Sequence, residues 1–213
     1  MNFGNIMIFG DSYSTYEGYI PAGYAVYYSG KRTSPPDVSD ATKTWWGRLI
    51  EKTGATIVQN NSWSGSTLCY TGWNGIDASH SSSFIYRFEK LLKEGFFEKN
   101  KIDTLFVFGG TNDSWSNAPL GENKTEGIEE KDLFCVLPAI AHFARRLKDE
   151  LKDTRIVFLG NCGIKEEVTD AFKAATERNG LDYVQLKDVD KVNGHPTELG
   201  MEQICNQILE MLG

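Results

Sequence analysis

The chain has 213 residues, of which 40% are hydrophobic, 12% aromatic and 24% charged. That is globular composition with enough apolar mass for a sizeable core, unlike a disordered chain. Lys+Arg number 22 against 29 Asp+Glu, a formal net charge of −7, so duplex nucleic acid and anionic membrane surfaces would be repelled. No apolar run approaches the roughly 18 residues that span a bilayer, and no basic-then-apolar leader opens the chain. The expectation is a soluble protein, cytoplasmic or secreted with its leader removed, folded as one domain over residues 1–213.

In chain order, Asn5 to Gly10 reads as a buried strand, and Thr42 to Lys52 as a helix carrying Trp45, Trp46, Leu49 and Ile50. Thr56 to Gln59 is a second strand and Phe84 to Gly95 a second helix. Thr104 to Phe108 is a third strand. The longest helical pattern runs from about Lys131 to Leu151, with Leu133, Leu137, Ile140, Ala144, Leu147 and Leu151 on one stripe. Pro138 predicts a kink in it or a late start. Arg155 to Leu159 is a fourth strand. Lys165 to Arg178 is a helix closed by Asn179-Gly180. Asp182 to Leu186 is a weaker fifth strand. Pro196 to Leu212 is the last helix, with its proline in the first turn.

Near-continuous apolar strands alternating with amphipathic helices predict an α/β fold, about five parallel strands covered on both faces. Three polar segments exceed simple connections: about Tyr13 to Ala41, Ser66 to Ser83 and Asn112 to Glu130. All follow strand C-terminal ends, where open α/β sheets place ligands.

Cys69, Cys135, Cys162 and Cys205 form no C-x-x-C pair, which argues for buried free thiols. His80, His142 and His195 sit in no metal-binding spacing, so neither a metal nor another cofactor is expected. His142 lies off the apolar stripe of its helix and reads as solvated. His80 has no evident partner.

Four short motifs fall at the sheet's C-terminal edge. Gly10-Asp11-Ser12-Tyr13-Ser14 ends the first strand, and a serine there can expose its Oγ and its own N–H together. Gly65 follows the second strand in Trp63-Ser64-Gly65-Ser66, where glycine permits close backbone approach. Gly109-Gly110-Thr111-Asn112-Asp113 ends the third strand and sets an amide at the sheet edge. Gly194-His195-Pro196-Thr197 places a histidine just before the final helix. Taken singly, each reads as an ordinary turn or cap.

In this order the four motifs resemble the sequence blocks of the SGNH (GDSL) hydrolase family, over nearly the whole chain. The resemblance implies a three-layer α/β/α, flavodoxin-like sandwich and an esterase or lipase working through an acyl-enzyme. It implies Ser12 as nucleophile and His195 as general base and acid. Ser12, Gly65 and Asn112 would then form the oxyanion hole. Two positions depart from the family pattern. Tyr13 replaces the leucine of G-D-S-L. The triad aspartate, three residues before the histidine, is replaced by Val192. A Ser–His dyad with the imidazole oriented by a backbone carbonyl is the favoured reading, and Asp190 as displaced acid the alternative; Asp188 is also nearby but equally off the motif.

Six of the 9 tyrosines, Tyr13, Tyr16, Tyr19, Tyr24, Tyr27 and Tyr28, lie in the first long segment. Trp63, Trp73 and Trp115 lie in or beside the others. Aromatic loops suit stacking on sugars or packing on acyl groups, and Tyr13, Trp63 and Trp115 are the candidate substrate contacts. Polar, Gly- and Ser-rich loops favour a small acyl group, such as acetyl on a carbohydrate, over a long lipid. The alternatives are a lipase or thioesterase of the same family, or a non-catalytic carbohydrate-binding domain.

Overall fold

The computed structural model describes residues 2–31 and 36–213. Its framework is a five-stranded parallel sheet in the order β2-β1-β3-β4-β5. The strands are β1 (Asn5–Gly10), β2 (Thr56–Ser62), β3 (Thr104–Phe108), β4 (Arg155–Gly160) and β5 (Asp182–Gln185). Alternate residues of each strand feed two separate cores. Met7, Phe9, Leu105, Val107, Ile156 and Phe158 pack on one face beneath α2 (Phe84–Lys93), α5 (Val136–Glu150) and α6 (Glu166–Asn179). Ile6, Ile8, Phe106, Phe108, Val157 and Leu159 pack on the other beneath α1 (Trp45–Thr53) and α7 (Glu198–Leu212). Two buried faces explain why the strands carry continuous apolar runs rather than alternation. The result is the expected three-layer α/β/α sandwich.

Local chemistry sets the helix ends. The Thr44 hydroxyl accepts from Gly47 N at 3.0 Å, so α1 begins at Trp45 rather than at Thr42, which sits in a 3₁₀ turn over Ala41–Lys43. The helix α5 starts late, at Val136, which leaves Pro138 in its first turn without a kink, and Leu133 falls in a preceding 3₁₀ turn. Gly180 ends α6 at φ +62°, the left-handed stop that Asn179-Gly180 predicts. The last helix departs from expectation. Pro196 is not in its first turn; the Thr197 hydroxyl caps Gly200 N and α7 starts at Glu198. Pro196 instead pairs with Lys191 in a small antiparallel ladder, β6 (Lys191–Val192) with β7 (His195–Pro196).

The second strand also runs beyond its expected end at Gln59. Asn60, Asn61 and Ser62 continue it, paired with Ile8, Phe9 and Gly10. Their polar side chains are buried because each finds a partner: Asn60 Nδ2 donates to Ser14 O at 2.7 Å, and Ser62 Oγ to Asn60 Oδ1 at 2.5 Å. Two short helices, α3 (Phe96–Lys99) and α4 (Thr111–Trp115), complete the chain-order set. Cys69, Cys135, Cys162 and Cys205 are all free thiols. Among the described residues no helix is long and apolar enough to cross a membrane.

Candidate active site

The carboxyl edge of the central strands gathers the four motifs. Ser12 opens a 3₁₀ turn (Ser12–Ser14) directly after β1, capped by the Asp11 carboxylate, which accepts from Tyr13 N at 3.0 Å. His195 reaches it from β7. His195 Nε2 lies 3.0 Å from Ser12 Oγ, and His195 Nδ1 lies 3.2 Å from the Asn193 carbonyl oxygen. A carbonyl only accepts, so the Nδ1 proton points to Asn193 and the Nε2 lone pair faces the serine.

The histidine is wedged between rings. Tyr27 stacks on it with centroids 3.6 Å apart and planes 8° from parallel. Tyr13 and Trp115 approach at 5.5 and 6.1 Å. Tyr13 is fully buried, so it stands beneath His195 rather than at a substrate surface. Burial pushes its phenol pKa up, and the retained proton is donated to the Gly194 carbonyl. Trp115, half-buried, packs on Gly194, whose φ of +77° no L side chain adopts readily. Both rings brace the turn that carries the histidine. Trp63 lies apart, against Tyr24 with ring centroids 4.3 Å apart and planes tilted by 34°, on the rim of an open depression of about 270 Å³ also lined by His80, Tyr86 and Lys90.

Asp190 and Asp188 do not approach the imidazole. The Asp190 carboxylate accepts the Thr197 hydroxyl, and its backbone N–H donates to Gln203 Oε1 at 2.7 Å, so it fastens β6 to the start of α7. Asp188 is exposed in a turn at φ +49°. Val192, at the motif position, pairs with His195 across the small ladder.

Asn112 meets the segment carrying Gly65 through Ser66, and Ser12 lies at the end of β1, between β2 and β3 in the sheet. Gly65 adopts φ +81°. Among the described residues the Ser12 and Gly65 N–H groups donate to no other protein group. The Asn112 amide is held from both sides: Nδ2 donates to Ser66 O at 3.0 Å, and Oδ1 accepts from Trp73 Nε1 at 3.1 Å. The backbone around it is fixed by Gly110 at φ +84°, where a Cβ would meet the Phe172 ring at 2.4 Å. Asp113, next in α4, accepts from Leu68 N at 2.9 Å and Cys69 N at 3.0 Å. It thereby fastens the segment after Gly65 to the helix bearing Asn112.

Sequence reasoning did not single out Arg87 or Tyr27. Arg87 is buried on α2, its guanidinium 4.5 Å from the Phe84 ring centroid and 5.1 Å from that of Phe9. It donates to the Asn61 carbonyl, to Asn61 Oδ1 at 2.8 Å, to Ser66 Oγ at 3.1 Å, to Gly10 O at 3.3 Å and to Ser82 O at 2.9 Å. The ends of β1 and β2 and the segment carrying Gly65 and Ser66 therefore hang on one side chain. Its signal was present as a charge between Phe84, Phe88 and Leu91 on an apolar helix face. His142, expected in solvent, is half-buried with its Nδ1 unpaired among the described residues, and burial lowers its pKa.

A family model described as GDSL-like lipase/acylhydrolase matches residues 4–212. A protein assigned to the GDSL-like lipases from Bacteroides ovatus is 38% identical, with 100% of this chain and 99% of that chain covered and a TM-score of 0.90. One so assigned from Bacteroides uniformis is 36% identical, covering 98% and 95%, with a TM-score of 0.89. A carbohydrate acetylesterase from Sinorhizobium meliloti shares the fold at 13% identity, covering 98% of each chain, with a TM-score of 0.61. No curated protein matches the chain in sequence.

Proposed function

The chain belongs to the GDSL-like lipase/acylhydrolase family and is a hydrolase of ester bonds, and from that premise we propose that it cleaves small acyl esters through a Ser12–His195 dyad. The observation that carries this reading is the 3.0 Å contact between Ser12 Oγ and His195 Nε2, and the Ser12 and Gly65 N–H groups, which have no protein partner among the described residues, support it. Ser12 Oγ attacks the ester carbonyl carbon as its proton passes to His195 Nε2. The carbonyl oxygen, now an oxyanion, takes hydrogen bonds from Ser12 N, Gly65 N and the free N–H of Asn112 Nδ2. His195 then protonates the leaving alkoxide, which departs as the alcohol and leaves Ser12 acylated. Water repeats the sequence: His195 takes its proton, the hydroxyl adds to the acyl carbon, and Ser12 Oγ leaves with the proton returned.

The imidazolium formed in each half-reaction faces the Asn193 carbonyl and the π face of Tyr27, both of which favour positive charge. Trp63 with Tyr24, two residues before Gly65 in sequence, offers an aromatic surface for the alcohol part, and Trp115 acts through Gly194. A carbohydrate bearing an acetyl group is the substrate class these features favour. The depression beside Trp63 is rimmed by Tyr, His, Ser and Lys side chains rather than by an aliphatic channel for a long acyl chain. Turnover of p-nitrophenyl acetate and of acetylated sugars tests the reading. Ser12→Ala and His195→Ala should each remove nearly all activity, and the double variant should be little worse than either. Ser12→Ala retaining most of its turnover would sink it.

A further inference from the structure

We propose that Trp73 is a positioning residue for the oxyanion site: its indole N–H fixes the Asn112 amide in the one orientation that presents an N–H to the reacting oxygen. The inference rests on the reading of Asn112 as an oxyanion donor and adds a residue that the four motifs do not contain.

An asparagine amide can sit in its pocket two ways, related by a flip that exchanges Oδ1 and Nδ2. Here both flanking groups have a single polarity. Trp73 Nε1 only donates, and it lies 3.1 Å from Asn112 Oδ1. The Ser66 carbonyl only accepts, and it lies 3.0 Å from Asn112 Nδ2. A flip would set N–H against N–H and oxygen against oxygen, losing two hydrogen bonds and creating two repulsions. One Nδ2 hydrogen goes to Ser66; the other is left for the substrate. Asn112 is 4% exposed, so water cannot readily replace a lost partner.

Trp73 also stands beside a second donor. A Cβ built on Gly65 would lie 3.9 Å from Trp73 Nε1, so the indole borders the segment carrying the Gly65 N–H. Trp73 itself is 41% exposed, in a 3₁₀ turn over Trp73–Gly75. Core packing does not account for a tryptophan there. The indole N–H aimed at Asn112 does. Without it the amide keeps only the Ser66 contact, rotates more freely and spends time with Oδ1 towards the reacting oxygen, where it repels the oxyanion.

The test is steady-state kinetics on p-nitrophenyl acetate for Asn112→Ala, Trp73→Phe, the double variant and a protein with benzothienylalanine in place of Trp73. The last keeps the shape of the indole and loses only the N–H. Asn112→Ala should lower kcat by about 10²–10³-fold, as loss of one oxyanion donor does. Trp73→Phe and the benzothienylalanine protein should each lower kcat by about tenfold with KM within about twofold, because the lost interaction acts on the transition state. In the Asn112→Ala background, Trp73→Phe should change kcat by less than about twofold, since the amide it positions is gone. Wild-type kcat in the benzothienylalanine protein would overturn the proposal. So would an equal effect of Trp73→Phe in both backgrounds, or a change confined to KM. An Asn112→Ala variant with undiminished kcat would instead remove the oxyanion reading beneath it, and this inference with it.

Discussion

A carbonyl oxygen 3.2 Å from His195 Nδ1 selects the tautomer but carries no full charge. It stabilises the imidazolium less than a carboxylate would, and the parallel Tyr27 ring adds a cation–π contribution of about 0.5–2 kcal/mol. Asp190 is occupied elsewhere, accepting the Thr197 hydroxyl at the head of α7. Asp190→Asn should therefore leave kcat within about tenfold, at most roughly 1.4 kcal/mol on the barrier. A loss of several orders of magnitude in a variant with unchanged circular dichroism would identify Asp190 as the acid after all. The Ser12–His195 contact was legible because Ser12 follows the end of β1 and His195 stands just before the last helix. Trp73 and Tyr27 were not, because an aromatic in a long loop looks the same whether it packs the loop, orients an amide or stacks on an imidazole. Tyr13 was misread for the same reason: sequence marks a ring beside the serine, not the side of the backbone on which it is buried.

The five sheet strands declared themselves through apolar runs, since a parallel strand covered on both faces admits little else. What escaped was structure made of polar residues. Asn60 to Ser62 extend β2 through side-chain hydrogen bonds, and the β6–β7 ladder is too short to show any period. That ladder sets the position of His195, and its tight turn gives a direct test. Gly194 has φ +77°, and a Cβ there would lie 2.8 Å from the Trp115 ring. Gly194→Ala should displace the histidine and lower kcat by roughly 10- to 100-fold, as small misplacements of reacting groups do. Gly180→Ala is the control: its φ is +62° but nothing lies within 4 Å, so it should cost about 1 kcal/mol of stability and leave kcat unchanged. Equal kinetic effects from the two would show that strain alone, not His195 placement, matters. Arg87 performs the corresponding service for β1 and β2. Burial of its charge is costly and holds its pKa down at about 9, so Arg87→Met relieves one penalty. It also takes a donor from the carbonyls of Asn61 and Ser82, at about 1–3 kcal/mol each, and leaves the Gly10 carbonyl with Trp63 N alone. The second effect is larger, and a net loss of a few kcal/mol should appear as a lower Tm. Arg87→Lys should recover little, because a point ammonium cannot span those acceptors. A methionine variant as stable as the parent would refute this.

The sandwich buries two carboxylates under its reactive edge, and their titration should govern how the stability of the protein responds to pH. Asp11 is fully buried; burial, the largest effect, raises its pKa to about 7, against a lowering by the hydrogen bond from Tyr13 N. Its Oδ2 has no hydrogen-bond partner among the described residues. Asp113 is also raised by burial, despite accepting from Leu68 and Cys69 N–H groups. For an acid whose folded pKa lies above its unfolded value of 3.8, the folded state holds more protons across the interval between them. Unfolding then becomes easier as pH rises through that interval, and the loss is complete above the folded pKa. The opposite sign comes from half-buried carboxylates such as Asp103 and Asp132, whose pKa values are lowered by hydrogen bonds and lysine partners. Their contribution is already in place above about pH 4, near the ordinary aspartate value. Between pH 5 and pH 7 Asp11 contributes a falling slope of at most about 1.4 kcal/mol per pH unit, opposed over part of that range by half-buried His142, whose pKa burial lowers. Chemical denaturation at pH 5, 6, 7 and 8 should show stability falling across this range and then levelling. Asp11→Asn keeps an oxygen for Tyr13 N but cannot ionise, so it should flatten most of the decline and exceed the parent in stability at pH 8. A parent protein whose stability rises from pH 5 to pH 8, or an Asp11→Asn variant with an unchanged slope, would show that Asp11 is ionised throughout and that the Arg87 guanidinium outweighs its burial.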